Sequence, residues 1–237
     1  MRVPKKTQKQ RKPRARAAGW ASLKVHDIPS STTLFPVLFR YISPNSRILD
    51  VGCGPGKVSS SLYEQGYANI FGIDINPNAV RFARKSLSKL GMQKAGECFR
   101  VANAQKIPFP NSSFDCIINK AFWTTVTSNR AAIIKEIARV LKPQGVLYLA
   151  EFAQNWRAQK FRQDYEKGIR KGYEKGTFDA ASRSGMPDLQ VHHYTKAEFA
   201  SLLKQAGFRI EHYSKEPFKT RTGTPTIGHV IIARKSA

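Results

Sequence analysis

Alternating strand and helix signals along the 237 residues predict an α/β protein: one seven-stranded, mostly parallel sheet flanked by helices, with the last strand antiparallel and a helical insert after strand five. Three features carry that expectation. The apolar run Arg47 to Val51 enters a glycine-rich turn. Ile70 to Asp74 is followed at once by a helix start. Asn129 to Leu141 has a helical apolar stripe that leads directly into another apolar run. Connections of these lengths join parallel neighbours through right-handed crossovers.

Taken in order, residues 1–19 hold eight basic side chains, no acid and almost nothing to bury, which reads as a flexible basic arm before a single domain over 20–237. Ser30 to Tyr41 suggests a short amphipathic helix. After the strand Ile70 to Asp74, Asn76 is an N-cap and Pro77 occupies the first helical position of a helix reaching Leu90, with Gly91 as its stop. Glu97 to Ala102 and Phe114 to Asn119 read as strands three and four. Ile133, Ile134, Ile137, Val140 and Leu141 stripe the next helix, and Lys142 to Gly145 turns into strand five, Val146 to Glu151. Between 152 and 189, aromatic, basic and glycine residues mix in a segment expected to be an inserted, largely helical cap. Thr195-Lys196-Ala197-Glu198 is a capping box for a helix ending near Gly207, and Phe208 to Tyr213 with Ile227 to Ala233 forms a hairpin that completes the sheet.

Forty Lys and Arg stand against 16 Asp and Glu, a net charge of +24. That balance favours a polyanionic partner such as RNA, a ribosomal particle or an acidic membrane surface; solubility alone is the plainer account. No apolar run is long enough for a transmembrane span and no secretory signal precedes the domain, so a cytoplasmic location is expected, with organelle targeting by the basic N-terminus as the alternative. Cys53, Cys98 and Cys116 lack metal-ligand spacing and read as reduced, buried thiols; no metal site is expected.

The chemistry concentrates at strand ends. ILDVGCGPGK, residues 48–57, ends its strand in Asp50 and lets the backbone turn tightly at Gly52, Gly54 and Gly56. Position six of a dinucleotide-type G-x-G-x-x-G is Lys57, and no G-K-[ST] follows, so neither a dinucleotide site nor a phosphate-binding P-loop fits. This turn, the acidic strand end in GIDINP, the NAQKIPFPNSSFD stretch and RVLKPQGVLYLAE together resemble the class I S-adenosylmethionine-dependent methyltransferases with their Rossmann-like sheet. The similarity is greatest to the ubiquinone and menaquinone biosynthesis methyltransferase-like (methyltransferase type 11) branch. The resemblance spans roughly residues 30–235 and implies S-adenosylmethionine as methyl donor. It assigns the two ribose hydroxyls to Asp74, the adenine face to Ile75 and the adenine edge to Asn103-Ala104, where the family usually has Asp-Ala. Asp50 and the Gly52, Cys53, Gly54 turn would face the methionine part, with Asn119 near it.

The acceptor is less legible. His192, His193 and Tyr194, just before the capping-box helix, are candidate acceptor contacts or a general base, or else structural residues. Phe122 and Trp123 either wall an acceptor pocket or belong to the core. Asn119-Lys120-Ala121-Phe122 stands where amino-methylating enzymes acting on adenine or glutamine carry N-P-P-Y, and no Pro-Cys nucleophile pair occurs. Three readings remain: a methyltransferase for a small organic or lipid-like acceptor with the insert as lid, an RNA- or ribosome-associated methyltransferase, and a non-catalytic assembly factor.

Overall fold

The computed structural model describes residues 19–28, 31–180, 189–220 and 223–236. Nearly all of the basic arm therefore lies outside the described residues. The strands are β1 (Ile48–Val51), β2 (Ile70–Asp74), β3 (Phe99–Val101), β4 (Phe114–Lys120), β5 (Leu141–Phe152), β6 (Thr177–Asp179), β7 (Gln190–His192), β8 (Phe208–Lys219) and β9 (Pro225–Lys235). The helices are α1 (Lys57–Glu64), α2 (Pro77–Lys89), α3 (Ala95–Cys98), α4 (Arg130–Val140), α5 (Gln159–Arg170) and α6 (Lys196–Gln205). Seven strands form one sheet in the order β3-β2-β1-β4-β5-β9-β8. β1 to β5 are parallel; β9 runs antiparallel to both its neighbours.

Strand alternation divides the core in two. Leu49, Val51, Ile117, Leu147 and Leu149 face the stripe Ile133, Ile134, Ile137 and Val140 of α4 together with Phe199 and Leu203 of α6. Ile48, Ile118, Val146 and Tyr148 face Val58 and Leu62 of α1 and Val80, Ala83 and Leu87 of α2. Both faces of the parallel strands are thus covered, which is why β1 is buried at all four positions.

Several elements differ from the sequence expectation for identifiable reasons. The helix expected over Ser30 to Tyr41 is a five-residue 3-10 turn, Pro36–Arg40; proline holds Phe35 extended at φ −80°, ψ 139°, and Ser30 lies outside the described residues. α3 takes up the first residues of the expected third strand. The 152–189 segment supplies α5, as expected of the cap. It also supplies β6, whose antiparallel partner β7 lies just beyond it, while residues 181–188 lie outside the described residues. α5, β6 and β7 enclose a third small core of Phe161, Tyr165, Phe178 and Val191, with Trp20 and Trp156 against it. Cys53 and Cys116 are buried free thiols, whereas Cys98 is only half-buried. No helix among the described residues is long and apolar enough to cross a membrane.

Candidate active site

β1, β2 and β4 end side by side, and in such sheets ligands lie beyond the strand carboxyl ends. In the turn after β1, Gly52, Gly54 and Gly56 have φ of 77°, 52° and 81°. A Cβ on Gly52 would fall 2.5 Å from Cδ2 of Phe122, so backbone and neighbour both require glycine. Gly52→Ala is expected to cost about 1–2 kcal/mol from the left-handed backbone alone. Scanning calorimetry should then read a Tm lower by about 2–8 °C, and an unchanged Tm would show that the turn tolerates a side chain.

Asp74 closes β2 and organises the turn. Its Oδ2 accepts from the Gly54 N–H and its Oδ1 from the Asn76 N–H, each at 2.8 Å. Burial raises its pKa above the ordinary carboxylate value, while those backbone donors pull it down. Each oxygen keeps capacity for a further hydrogen bond. Ile75 is 47% exposed and Val101, the register partner of Asp74, is 51% exposed, so apolar side chains flank the carboxylate on the surface. Asp50 is buried and accepts from Ser59 Oγ of α1 at 2.9 Å; burial lifts it to about 7, against the pull of Ser59 and Lys120. The Cys53 thiol is buried beside Asp50 and Asp74 and is pushed well above its ordinary pKa, first by desolvation, so it is no nucleophile.

The other sequence candidates are distributed unevenly. Asn103 spends one side-chain lone pair locally, Oδ1 accepting from the Gln105 N–H at 2.9 Å, and Ala104 is buried behind it. Asn119 is fully buried: its Nδ2 donates to the Val51 carbonyl at 3.2 Å and its Oδ1 accepts from Trp123 Nε1 at 3.0 Å, tying β1 to the segment after β4. His192 hydrogen-bonds Thr177 Oγ1 at 2.8 Å and Glu198 at 2.9 Å, joining β6, β7 and the capping box. Tyr194 donates to the Val126 carbonyl and stacks on Phe199. Both side chains are consumed by the fold. His193 Nδ1 pairs with Tyr165 Oη at 2.8 Å, and burial, then its neighbour His192, hold it neutral down to about 3. Its ring stacks on Phe152 at 5.4 Å, beside the end of β5, where Tyr194 also lies, bridged to Ala153. Glu174, His192 and Glu198 approach one another within 4.8 Å, but the Arg130 guanidinium engages Glu174 and His192 is already hydrogen-bonded at both nitrogens.

Sequence reasoning passed over three features. Lys120 closes β4 beside Asp50, and Glu151, next to last in β5, accepts from the backbone N–H groups of Phe122, Trp123 and Thr124 at 2.8–3.2 Å. A charge just beyond a run of apolar strand residues, Cys116 to Ile118 and Val146 to Ala150, was the available signal in both cases. The third is a strap, residues 19–28. Asn76 caps α2 through Oδ1, while its Nδ2 donates to the carbonyls of Trp20 and Leu23, each at 2.9 Å. Ile28 Cγ2 stands 3.5 Å from where a Gly54 Cβ would lie, so the strap runs beside the turn. Nothing local in the sequence links Trp20 to Asn76.

A glycine-rich turn, a carboxylate with spare lone pairs and flanking exposed apolar residues fit a nucleoside-bearing methyl donor. A methyltransferase domain family model matches residues 49–149. The crystal structure of a SAM-dependent methyltransferase from Methanosarcina mazei is 40% identical with a TM-score of 0.79, covering 86% of this chain and 98% of that one. The sterol 4-C-methyltransferase of Caenorhabditis elegans is 29% identical over 204 residues, 80% of this chain and 58% of that protein. The demethylmenaquinone methyltransferase of Chlorobaculum parvum is 29% identical over 181 residues, 73% and 70% respectively. The chain spans 42% and 58% of the length of the first two curated relatives it matches.

Proposed function

Because the chain belongs to the S-adenosylmethionine-dependent methyltransferases, we propose that it methylates a small, planar organic or lipid-like acceptor bound beside the ends of β4 and β5. The observation that carries the acceptor reading is a run of aromatic rings at those ends. Phe35 stacks on Phe218 at 5.6 Å, Phe218 meets the edge of Phe152 at 5.5 Å, and Phe152 stacks on His193; Phe35 and Phe152 are half-buried rather than sealed in the core. Ligand sites for small molecules are lined in this way, by aromatic walls with a few polar groups. Relatives named for sterol and demethylmenaquinone methylation support the same reading.

The donor supplies an electrophilic methyl whose leaving group departs neutral, so the protein's task is alignment. In this reading Asp74 holds the ribose and Ile75 lies against the adenine, with Asn103 and Ala104 at its edge. Asp50 and the Gly52 to Gly54 backbone face the donor's ammonium end, and Asn119 keeps β1 and the Phe122-Trp123 segment in register behind it. The strap and the cap exclude water from above.

The test is calorimetric titration with S-adenosylmethionine, followed by tritium-methyl transfer to a total lipid extract and to total RNA. Donor binding with label entering lipid supports the proposal. Label entering only RNA would replace it with the second reading, and failure to bind donor would leave the assembly-factor reading.

That second reading, a polynucleotide acceptor, draws on the charge of +24 and on an open depression lined by Lys24, Asn78, Arg81, Phe82 and Lys85, where Phe82 is 47% exposed. If phosphate contacts hold such a partner, affinity should fall roughly a thousandfold between about 50 and 200 mM salt in a fluorescence anisotropy titration with an RNA oligomer. A salt-insensitive signal would remove phosphate contact from the account.

A further inference from the structure

Lys120 is the last residue of β4, paired in register with Ala150. Its ammonium stands 5.7 Å from the centroid of Phe218, and among the described residues it makes neither a hydrogen bond nor an ion pair. The two carboxyls that act on it are committed elsewhere, Asp50 to Ser59 and Glu151 to three backbone N–H groups. Burial lowers the Lys120 pKa while Glu151 and Asp50 raise it. Asp50 and Glu151 are themselves raised to about 7 and about 8, so near neutral pH they compensate the ammonium only in part. A half-buried cation is expensive without a close partner. Its remaining surroundings are Phe218 and, through Phe218, Phe35 and Phe152, with neutral His193 beyond.

We infer that Lys120 binds an oxyanion carried on the planar acceptor, with the acceptor's ring against the half-buried Phe152, and Phe218 buried behind it. The inference rests on the acceptor reading above and adds the charge of the acceptor to it. The shared chemistry, an oxygen anion on a ring, has two sources: an ionised ring hydroxyl, or a ring carboxylate. A hydroxyl held beside Lys120 gives its proton to solvent before any methyl arrives, which removes the need for a general base and agrees with a fold that consumes His192 and Tyr194. A fixed ammonium also disfavours a cationic donor bound alone and tolerates it once the anion lies between them.

The probes are 4-nitrophenol, which absorbs in the visible only as phenolate, and benzoate, each offered to the full chain with and without S-adenosylmethionine. The variants are Lys120→Met and Lys120→Arg. The parent is expected to ionise bound nitrophenol at lower pH than water does, with about tenfold or greater preference for phenolate. Lys120→Met should lose that preference and Lys120→Arg should keep most of it. In calorimetry Lys120→Met should bind the donor as tightly as the parent or more tightly. Benzoate displacing nitrophenol from the parent but not from Lys120→Met would equally support the oxyanion site and assign it to carboxylates. Equal phenolate preference in parent and Lys120→Met overturns the role of Lys120 while leaving a small aromatic acceptor standing. Donor binding with no probe bound by any variant overturns the acceptor reading itself.

Discussion

Replacing Asp74 with alanine is expected to weaken S-adenosylmethionine binding by roughly a hundredfold or more. Hydrogen bonds to a charged acceptor contribute about 1.5–3 kcal/mol each, and two ribose hydroxyls lost together amount to about 3 kcal/mol or more, some two decades in affinity. The substitution also frees the Gly54 and Asn76 N–H groups that now meet the carboxylate at 2.8 Å. Asp74 is only partly buried, so water can replace those contacts and the chain should still fold. Isothermal titration gives the affinity, and a cooperative melt of the same variant separates a lost ligand contact from a lost fold. Parental affinity in a folded Asp74→Ala would remove this residue from the donor site.

The largest stability effect is expected at Glu151. It is fully buried, and its two oxygens accept from three consecutive backbone N–H groups and from Thr124 Oγ1. Glu151→Ala strands those donors at about 1–3 kcal/mol each, and a loss on the order of 3–5 kcal/mol is expected in urea denaturation. Glu151→Gln keeps an acceptor for Phe122 and Trp123 and should cost far less. The pH dependence follows from the same carboxyl. Burial raises it to about 8, against backbone donors that pull it down, whereas an unfolded glutamate titrates near about 4.3. The native state therefore holds the extra proton, and the resulting stability, complete below that unfolded value, is lost as pH rises through about 8. Asp50, raised to about 7, acts in the same direction. His193 acts in the opposite one: held neutral to about 3, it costs stability as pH falls below about 6.5. Melting temperatures of Glu151→Gln from pH 5 to 8 should decline less steeply than those of the parent. Equal slopes would mean that Glu151 titrates normally.

Where local chemistry dictates structure, the sequence was readable. Asn76-Pro77 and Thr195 to Glu198 start α2 and α6 where expected, with the side-chain caps in place, because a cap is a contact between residues two or three apart. The glycine turn and Asp74 were legible for the same reason. α1 has no comparable signal, since its eight residues, KVSSSLYE, hold too few apolar side chains to mark a helical stripe. The β6–β7 pair joins two three-residue strands across a connection of ten residues, too short a pattern on either side to carry a strand signature. The aromatic group at the candidate acceptor site is assembled from Phe35, Phe152 and Phe218, on segments more than sixty residues apart; only the sheet order brings them together. Lys120, although passed over, did carry a local signal, a charge just beyond the apolar run Cys116 to Ile118.

The position of β9 has a consequence for how the molecule is made. β9 follows β8 in the chain yet lies between β5 and β8, with seven register pairs to one and eleven to the other. During synthesis the outer edge of β5 therefore waits as an open template, and β8 has no strand of the sheet to pair with, until the polypeptide through Lys235 has been translated. The nascent chain must carry an unpaired, apolar strand edge through that interval. This is the interval in which edge-to-edge association with another chain competes with folding, and in which a chaperone would matter most.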